Sequence, residues 1–175
     1  MSFRICYYLR VFMCRIRGGL ARFTYGTGRG LKIGKNVELD TKNIRFGENV
    51  NIYSNVHIFG NGTLIINDNV AIGDGTIICV AKKIEIGANS MIAGQCYITD
   101  CNHGTHLGNL MREQELRVKE VIIGEDVWCG CGVKVLMGSE IGSGVVLGAG
   151  LIVNGKVEDN SFCVPDRKYS IETRK

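Results

Sequence analysis

An aliphatic residue returns every six positions through most of this chain, and that spacing constrains the fold more than any other feature. Ile33 and Leu39 open the series, followed by Phe46, Ile52 and Ile58, by Ile66, Ile72 and Ile78, and by Ile86, Ile92 and Ile98. After a break come Ile123, Cys129 and Val135, then Ile141, Leu147 and Val153. A second small or aliphatic side chain stands two residues before most of them, as at Val50, Val56, Val70, Thr76, Ser90, Val127 and Val133. Three residues after them stands an Asn, Asp or Gly in 12 of 17 cases, among them Asn36, Asn49, Asn61, Gly75 and Asp126. These residue types tolerate positive φ, so the pattern predicts a left-handed backbone turn every six residues.

A period of six fits neither an α-helix nor a hairpin array. It fits three short strands joined by three such turns, a triangular coil in which residues about eighteen apart stack. The blocks come in threes with one or two extra residues between them, which predicts about six coils with small bulges at one corner. Each coil can bury its aliphatic side only against its neighbours, so the coils must stack into a parallel β-helix. An antiparallel sandwich would alternate with period two and is set aside. The hand of the coil does not follow from the spacing.

Composition narrows the class further. Apolar content of 45% with 24 glycines and a single proline, Pro165, describes a globular chain with a periodic backbone demand, not a disordered one. No run of eighteen apolar residues exists to span a bilayer. A net charge of +4 is far from the footprint of a nucleic-acid binder. The eight cysteines form no CxxC pair, and no secretory signal is present, so they read as reduced thiols of a cytoplasmic protein.

Residues 1–30 lie outside the repeat as an N-terminal segment. Within 3–23, Arg4, Arg10, Arg15, Arg17 and Arg22 mix with Ile5, Tyr8, Leu9, Phe12, Met13, Ile16 and Leu20. A helix of this kind suits a lid over the open first coil, and it also suits the surface of a membrane, including its inner face. The Gly26–Gly30 stretch follows no strand and reads as a linker rather than a nucleotide fingerprint.

The repeat is broken once, by a loop over 99–121. From Ile98 to Ile123 is 25 residues where the repeat asks for six, so nineteen residues leave the prism and return in phase. A long loop on a rigid scaffold is a usual place for function. Two of the three histidines stand at its start, in Asp100-Cys101-Asn102-His103-Gly104-Thr105-His106.

The Ile-Gly hexapeptides (Ile33-Gly34, Ile72-Gly73, Ile86-Gly87, Ile123-Gly124, Ile141-Gly142), the histidine-bearing loop and the restart Ile123-Gly124-Glu125-Asp126-Val127-Trp128-Cys129-Gly130 are similar to those of the hexapeptide-repeat acetyltransferases. The likeness is to the galactoside, maltose and nodulation-factor O-acetyltransferases and to the acetyltransferases of capsule and O-antigen clusters. It covers about residues 31–167 and implies a left-handed parallel β-helix domain over 31–163, followed by a tail over 164–175.

The resemblance also implies chemistry. His103 aligns with the family's general base, which takes the proton of a sugar hydroxyl as its oxygen attacks the thioester of acetyl-CoA. An imidazole, titrating near neutrality, suits that task. Asp100 or Asn102 would orient the base, with Asp100 capping its own turn as the competing reading. His106 reads as loop or acceptor wall, and His57 as a surface residue. Asp74 lies near the family's acceptor position, where those enzymes carry Asn, which puts the acceptor's identity in doubt. Trp128, Gly130, Gly148, Ala149, Arg167 and Lys168 are the implied acetyl-CoA contacts, and no metal is called for. The partners implied are two further copies in a homotrimer and a saccharide or sugar-nucleotide acceptor, with no nucleic acid. Cys101 as a nucleophile, N-acetylation of an amino-sugar nucleotide, a zinc site of the γ-carbonic-anhydrase kind and a non-catalytic scaffold are the alternatives carried forward.

Overall fold

A computed structural model describes residues 3–25, 28–41 and 43–166 of the chain. One helix, α1 (Phe3–Tyr25), precedes a left-handed β-solenoid. Its walls are three parallel sheets, here called A, B and C in the order in which the chain visits them, with seven strands in A and six each in B and C. That makes six full coils, as the spacing predicts, with one further strand, Phe162–Cys163, paired with Val146–Leu147 at the far end of sheet A.

The inward residues stack as the repeat predicts. In sheet A, Ile33, Ile52, Ile72, Ile92, Cys129, Leu147 and Cys163 stand one above another. Sheet B stacks Leu39, Ile58, Ile78, Ile98, Val135 and Val153, and sheet C stacks Phe46, Ile66, Ile86, Ile123, Ile141 and Val157. Nearly all are buried, the central ones completely. Each such aliphatic side chain contributes about 1.5–3 kcal/mol by leaving water.

Two corners of the triangle are strict and the third is free. The step from A to B is six residues in every coil, as from Ile33 to Leu39 and from Ile92 to Ile98. The step from C to A is also six, as from Phe46 to Ile52 and from Ile123 to Cys129. From B to C it is 7, 8, 8, 25, 6 and 4 residues in successive coils. At the strict corners the left-handed residues recur as predicted, at Asn36, Asn55, Gly75, Gln95, Gly132 and Gly150, and at Asn49, Asn69, Asn89, Asp126, Gly144 and Asn160. Asn side chains there also bond from coil to coil, as Asn49 Nδ2 to Asn69 Oδ1 (3.3 Å) and Asn69 Nδ2 to Asn89 Oδ1 (3.0 Å). Asn61 was expected to make such a turn and does not; it lies at the free corner, where Gly60 takes the positive φ.

Helix α1 lies over the first coil. The missing side chain of Gly18 lets the helix meet the backbone of Leu31, which a Cβ there would strike. Arg17 Nε donates to the Ile33 carbonyl (2.9 Å), and the Tyr25 hydroxyl donates to that of Leu39 (3.1 Å).

Two expectations test this frame. A glycine inserted between Asn61 and Gly62 should leave the melting temperature within a few degrees, whereas one inserted between Gly75 and Thr76 should abolish cooperative melting, because it turns every later inward residue outward. The second concerns Cys129, whose burial among aliphatics pushes its thiol from 9.0 up to about 12. A raised folded value means that this thiol's contribution is complete below pH 9 and is lost as pH climbs toward 12. Melting curves from pH 8 to 11 should therefore fall less steeply for Cys129→Val than for the parent chain.

Candidate active site

The long loop leaves at the free corner, after Tyr97–Thr99 of sheet B. It rises as a two-stranded antiparallel arm, with Cys101 opposite Val118 and Asn102 opposite Arg117. A single turn of 3-10 helix, Met111–Glu113, lies near its tip.

The root of the arm is pinned by Asp100, which is fully buried. Its carboxylate accepts three backbone N–H groups of the preceding coil, from Ala81 (2.6 Å), Lys82 (2.7 Å) and Lys83 (2.7 Å). Its carbonyl accepts the N–H of Lys119 on the returning strand (2.9 Å), and the Lys119 carbonyl accepts that of Gly138 in the next coil (3.1 Å). An ion pair between Lys82 and Glu120 (3.2 Å) closes the same junction. A buried carboxylate is tolerable only when its oxygens are satisfied in this way. Asp100 thus binds neither its own turn nor the His103 ring, the two roles foreseen for it.

His103 is exposed three residues further on. Its backbone N–H donates to Asn102 Oδ1 (2.9 Å), so the Asn102 side chain holds the main chain rather than the imidazole. Among the described residues, no side chain bonds to the His103 ring. His106 is exposed too, and its backbone is clasped by Gln114, which accepts its N–H (2.9 Å) and donates to its carbonyl (3.0 Å) and to that of Asn109 (3.1 Å). Gly104 makes room for this clasp, since a Cβ there would come within 2.8 Å of the Gln114 side chain. Sequence reasoning missed Gln114. Its partners are main-chain groups of a non-repeating segment, so no spacing signals it.

Cys101 faces Cys79 across 3.7 Å, with the Thr99 hydroxyl 3.5 Å from its sulfur. Burial and the neighbouring Cys101 push the Cys79 thiol up to about 11. A cleft of about 240 Å³ beside the arm's root is lined by Tyr97, Thr99, Cys101, Asn102, Leu136 and Met137.

The other expected residues lie elsewhere on the prism. His57 stands on sheet B, 3.4 Å from Glu38, well before the arm and in no cluster with His103 and His106. Asp74 turns the corner from A to B, where its carboxylate accepts the Ser54 N–H (2.9 Å). Asp68 and Asp159 make the same bond at the other strict corner, so the contact is one of the frame. Trp128 points outward from sheet A, half exposed, between Met91 and Val146 in register. Gly130 and Gly148 follow on the turn out of sheet A, and Ala149 beside them is exposed. The N–H groups of Gly130 and Gly148 are used within the ladder, bonding to the Leu147 and Cys163 carbonyls (both 2.7 Å), so these glycines offer a ligand a smooth surface and not those donors. Arg167 and Lys168 lie outside the described residues.

Sheet A is the side of the triangle opposite the corner from which the arm leaves. The root of the arm that carries His103 and the outward Trp128 therefore lie on opposite sides of one subunit.

No family model matches the chain. WbbJ of Escherichia coli K12, named for a provisional role as an O-acetyl transferase of lipopolysaccharide biosynthesis, is 36% identical over 106 residues, which are 53% of this chain and 54% of that protein. A provisionally assigned acetyltransferase of Mycobacterium tuberculosis H37Rv is 40% identical over 82 residues, 46% of this chain and 27% of that protein. Over these segments the chain is similar to proteins named as acetyltransferases. It spans about half the length, or less, of the curated relatives it matches. The same hexapeptide fold appears in AntD, an N-acyltransferase of Bacillus cereus solved with dTDP and coenzyme A, at a TM-score of 0.75 and 20% identity over 90% of this chain and 88% of that one.

Asp100→Ala would strand three amides in a dry junction. Urea unfolding should register a loss of roughly 2 kcal/mol or more, whereas Gln114→Ala should leave global stability unchanged and speed hydrogen exchange within the arm.

Proposed function

We propose that the chain transfers acetyl from acetyl-CoA to a hydroxyl of a saccharide or sugar nucleotide in surface-polysaccharide synthesis, as a cytoplasmic homotrimer with its sites between subunits. The observation that carries this reading is the placement of His103 and Trp128 on opposite sides of one prism. A base on a projecting arm and an outward indole on the far wall can share a site only when two copies supply them, and a closed ring of three gives each site both. The kinship with an acetyltransferase assigned to lipopolysaccharide supports the reaction class.

The chemistry follows from the groups present. The His103 imidazole takes the proton of the acceptor hydroxyl while the oxygen attacks the thioester carbonyl. The carbon–sulfur bond breaks, and the departing thiolate recovers that proton from the imidazolium. Oxygen gains the acetyl, sulfur gains the proton, and no covalent enzyme intermediate is needed. Neither Cys79 nor Cys101 is required, and burial holds the Cys79 thiol protonated at neutral pH. The neighbouring copy would then supply the orienting contact that the His103 ring lacks within its own subunit. Gly148 and Ala149 would give the pantetheine arm its smooth wall, with Arg167 and Lys168 near the phosphates. Asp74 and His106 remain acceptor-side candidates.

A second reading is N-acylation of an amino-sugar nucleotide, favoured by the fold match to the AntD complex with dTDP-4-amino-4,6-dideoxyglucose and coenzyme A. An amine attacks with less help from a base, so the two readings differ in how strongly the rate depends on His103.

Acetyl transfer to a panel of oligosaccharides and sugar nucleotides should fall by about 10²–10⁴-fold in His103→Ala with KM for acetyl-CoA little changed. His103→Ala and Trp128→Ala chains, each crippled alone, should regain about one quarter of parental activity when mixed in equal amounts into trimers. A monomer by sedimentation, or no recovery on mixing, would refute the shared site.

A further inference from the structure

We infer that α1 is an in-plane membrane anchor that seats the prism on a bilayer rich in anionic phospholipid, with one face of the helix on the first coil and another in the lipid interface.

The helix divides cleanly when its residues are placed at 100° per residue. Val11, Cys14, Gly18 and Ala21 turn toward the β-helix, where Gly18 is buried and Ala21 packs on the core. Tyr8, Leu9, Phe12, Met13, Ile16 and Leu20 fall on one contiguous arc of roughly 140°, and all six are exposed, Tyr8 and Leu20 by about two thirds. Six large apolar side chains in one strip are more than a soluble surface leaves uncovered without a purpose. On the first coils, beside the helix, the outward positions differ, with Lys32, Asn51, Glu38 and Arg45 among them.

Charge selects the occupant. The 23 residues of α1 contain five arginines and no acidic residue. Arg10 and Arg17 flank one edge of the apolar arc and Arg15 the other; Arg10 and Arg15 are exposed, whereas Arg17 is tied to the Ile33 carbonyl. An apolar strip between cationic rims is the arrangement that sinks side chains to the level of the acyl boundary while guanidinium groups stay among phosphates. Each cation near an anionic surface adds to the attraction. No described helix is long and apolar enough to cross a membrane, so α1 lies along the surface. A second copy of the chain is a poorer occupant, because it would set the exposed Arg10 and Arg15 of one helix against those of the other.

Co-sedimentation of the full chain with vesicles provides the test. The parent chain should bind vesicles of phosphatidylcholine with about 30% phosphatidylglycerol at least tenfold more tightly than pure phosphatidylcholine, and 0.5 M salt should weaken the first. Phe12→Glu combined with Ile16→Glu, both at exposed positions, should reduce binding at least tenfold with an unchanged melting curve. Arg10→Glu combined with Arg15→Glu should remove the preference for the anionic vesicles. Absence of binding to either vesicle, binding indifferent to both pairs of substitutions, or a strip buried between copies (a larger sedimenting species that the Phe12→Glu/Ile16→Glu pair dissociates) would overturn the inference. None of these readouts depends on acetyl transfer.

Discussion

Register between coils is the constraint on which everything else in this molecule depends. Each inward side chain is buried only because the same position in the coils above and below is also inward. A strand of two or three residues has no way to absorb a slip, since a shift of one position exchanges its buried and exposed sides. The backbone answers with a fixed step of six at two corners, each held by a residue at positive φ and tied to the next coil by main-chain bonds such as Asn69 N–H to the Glu48 carbonyl (2.8 Å). Freedom in chain length is left to the third corner alone. The arm therefore emerges where the frame tolerates an extra residue, and its site along the prism follows from the same rule that builds the core.

Asp100 converts that freedom back into order. The residue sits at the point where the regular coil ends, and its carboxylate is dry. Such a charge is destabilising unless several donors surround it, and here three amides of the coil below do so while its carbonyl holds the returning strand. The arm is thus attached to the rigid body at both of its feet. His103, three residues beyond, inherits a fixed main-chain position, with Asn102 occupied in holding the backbone. What the frame does not supply is a partner for the ring itself.

Much of this was legible in the sequence because the six-residue period is imposed by the backbone, and residues tolerant of positive φ report it directly. Where the period is suspended, legibility fails for identifiable reasons. Asn61 looked like a turn residue but lies at the free corner, where Gly60 makes the bend. The seventh strand of sheet A was hidden because the preceding corner shortens to four residues, from Val153 to Val157, and breaks the phase. The location of His103 was readable from the interruption. The partners of Asp100 were not, since a carboxylate that binds amides 17–19 residues earlier has no signature in its neighbours. At Asp74 the sequence did not show the structural part of its role, since its bond to Ser54 repeats at Asp68 and Asp159 as a part of the scaffold.

The exposed surface argues for the proposed assembly independently of any catalytic role. Leu107, Leu110, Met111 and Leu116 project from the arm into solvent, Leu107 completely, and none has a core to join within its own subunit. On the opposite wall, sheet A presents Met91, Trp128 and Phe162 outward, again about half exposed or more. Two apolar surfaces on opposite sides of one prism cannot cover each other, yet each can cover the other's counterpart on a neighbouring copy. Heterologous contacts of this kind form a closed ring or run on as a fibre, and the proposed trimer is the closed form. In that arrangement the same contact that hides the arm's leucines brings the imidazole of one subunit against the indole wall of the next. Burial of apolar surface and assembly of the site are then a single event, so a subunit that fails to associate would leave both its arm uncovered and its base without a partner.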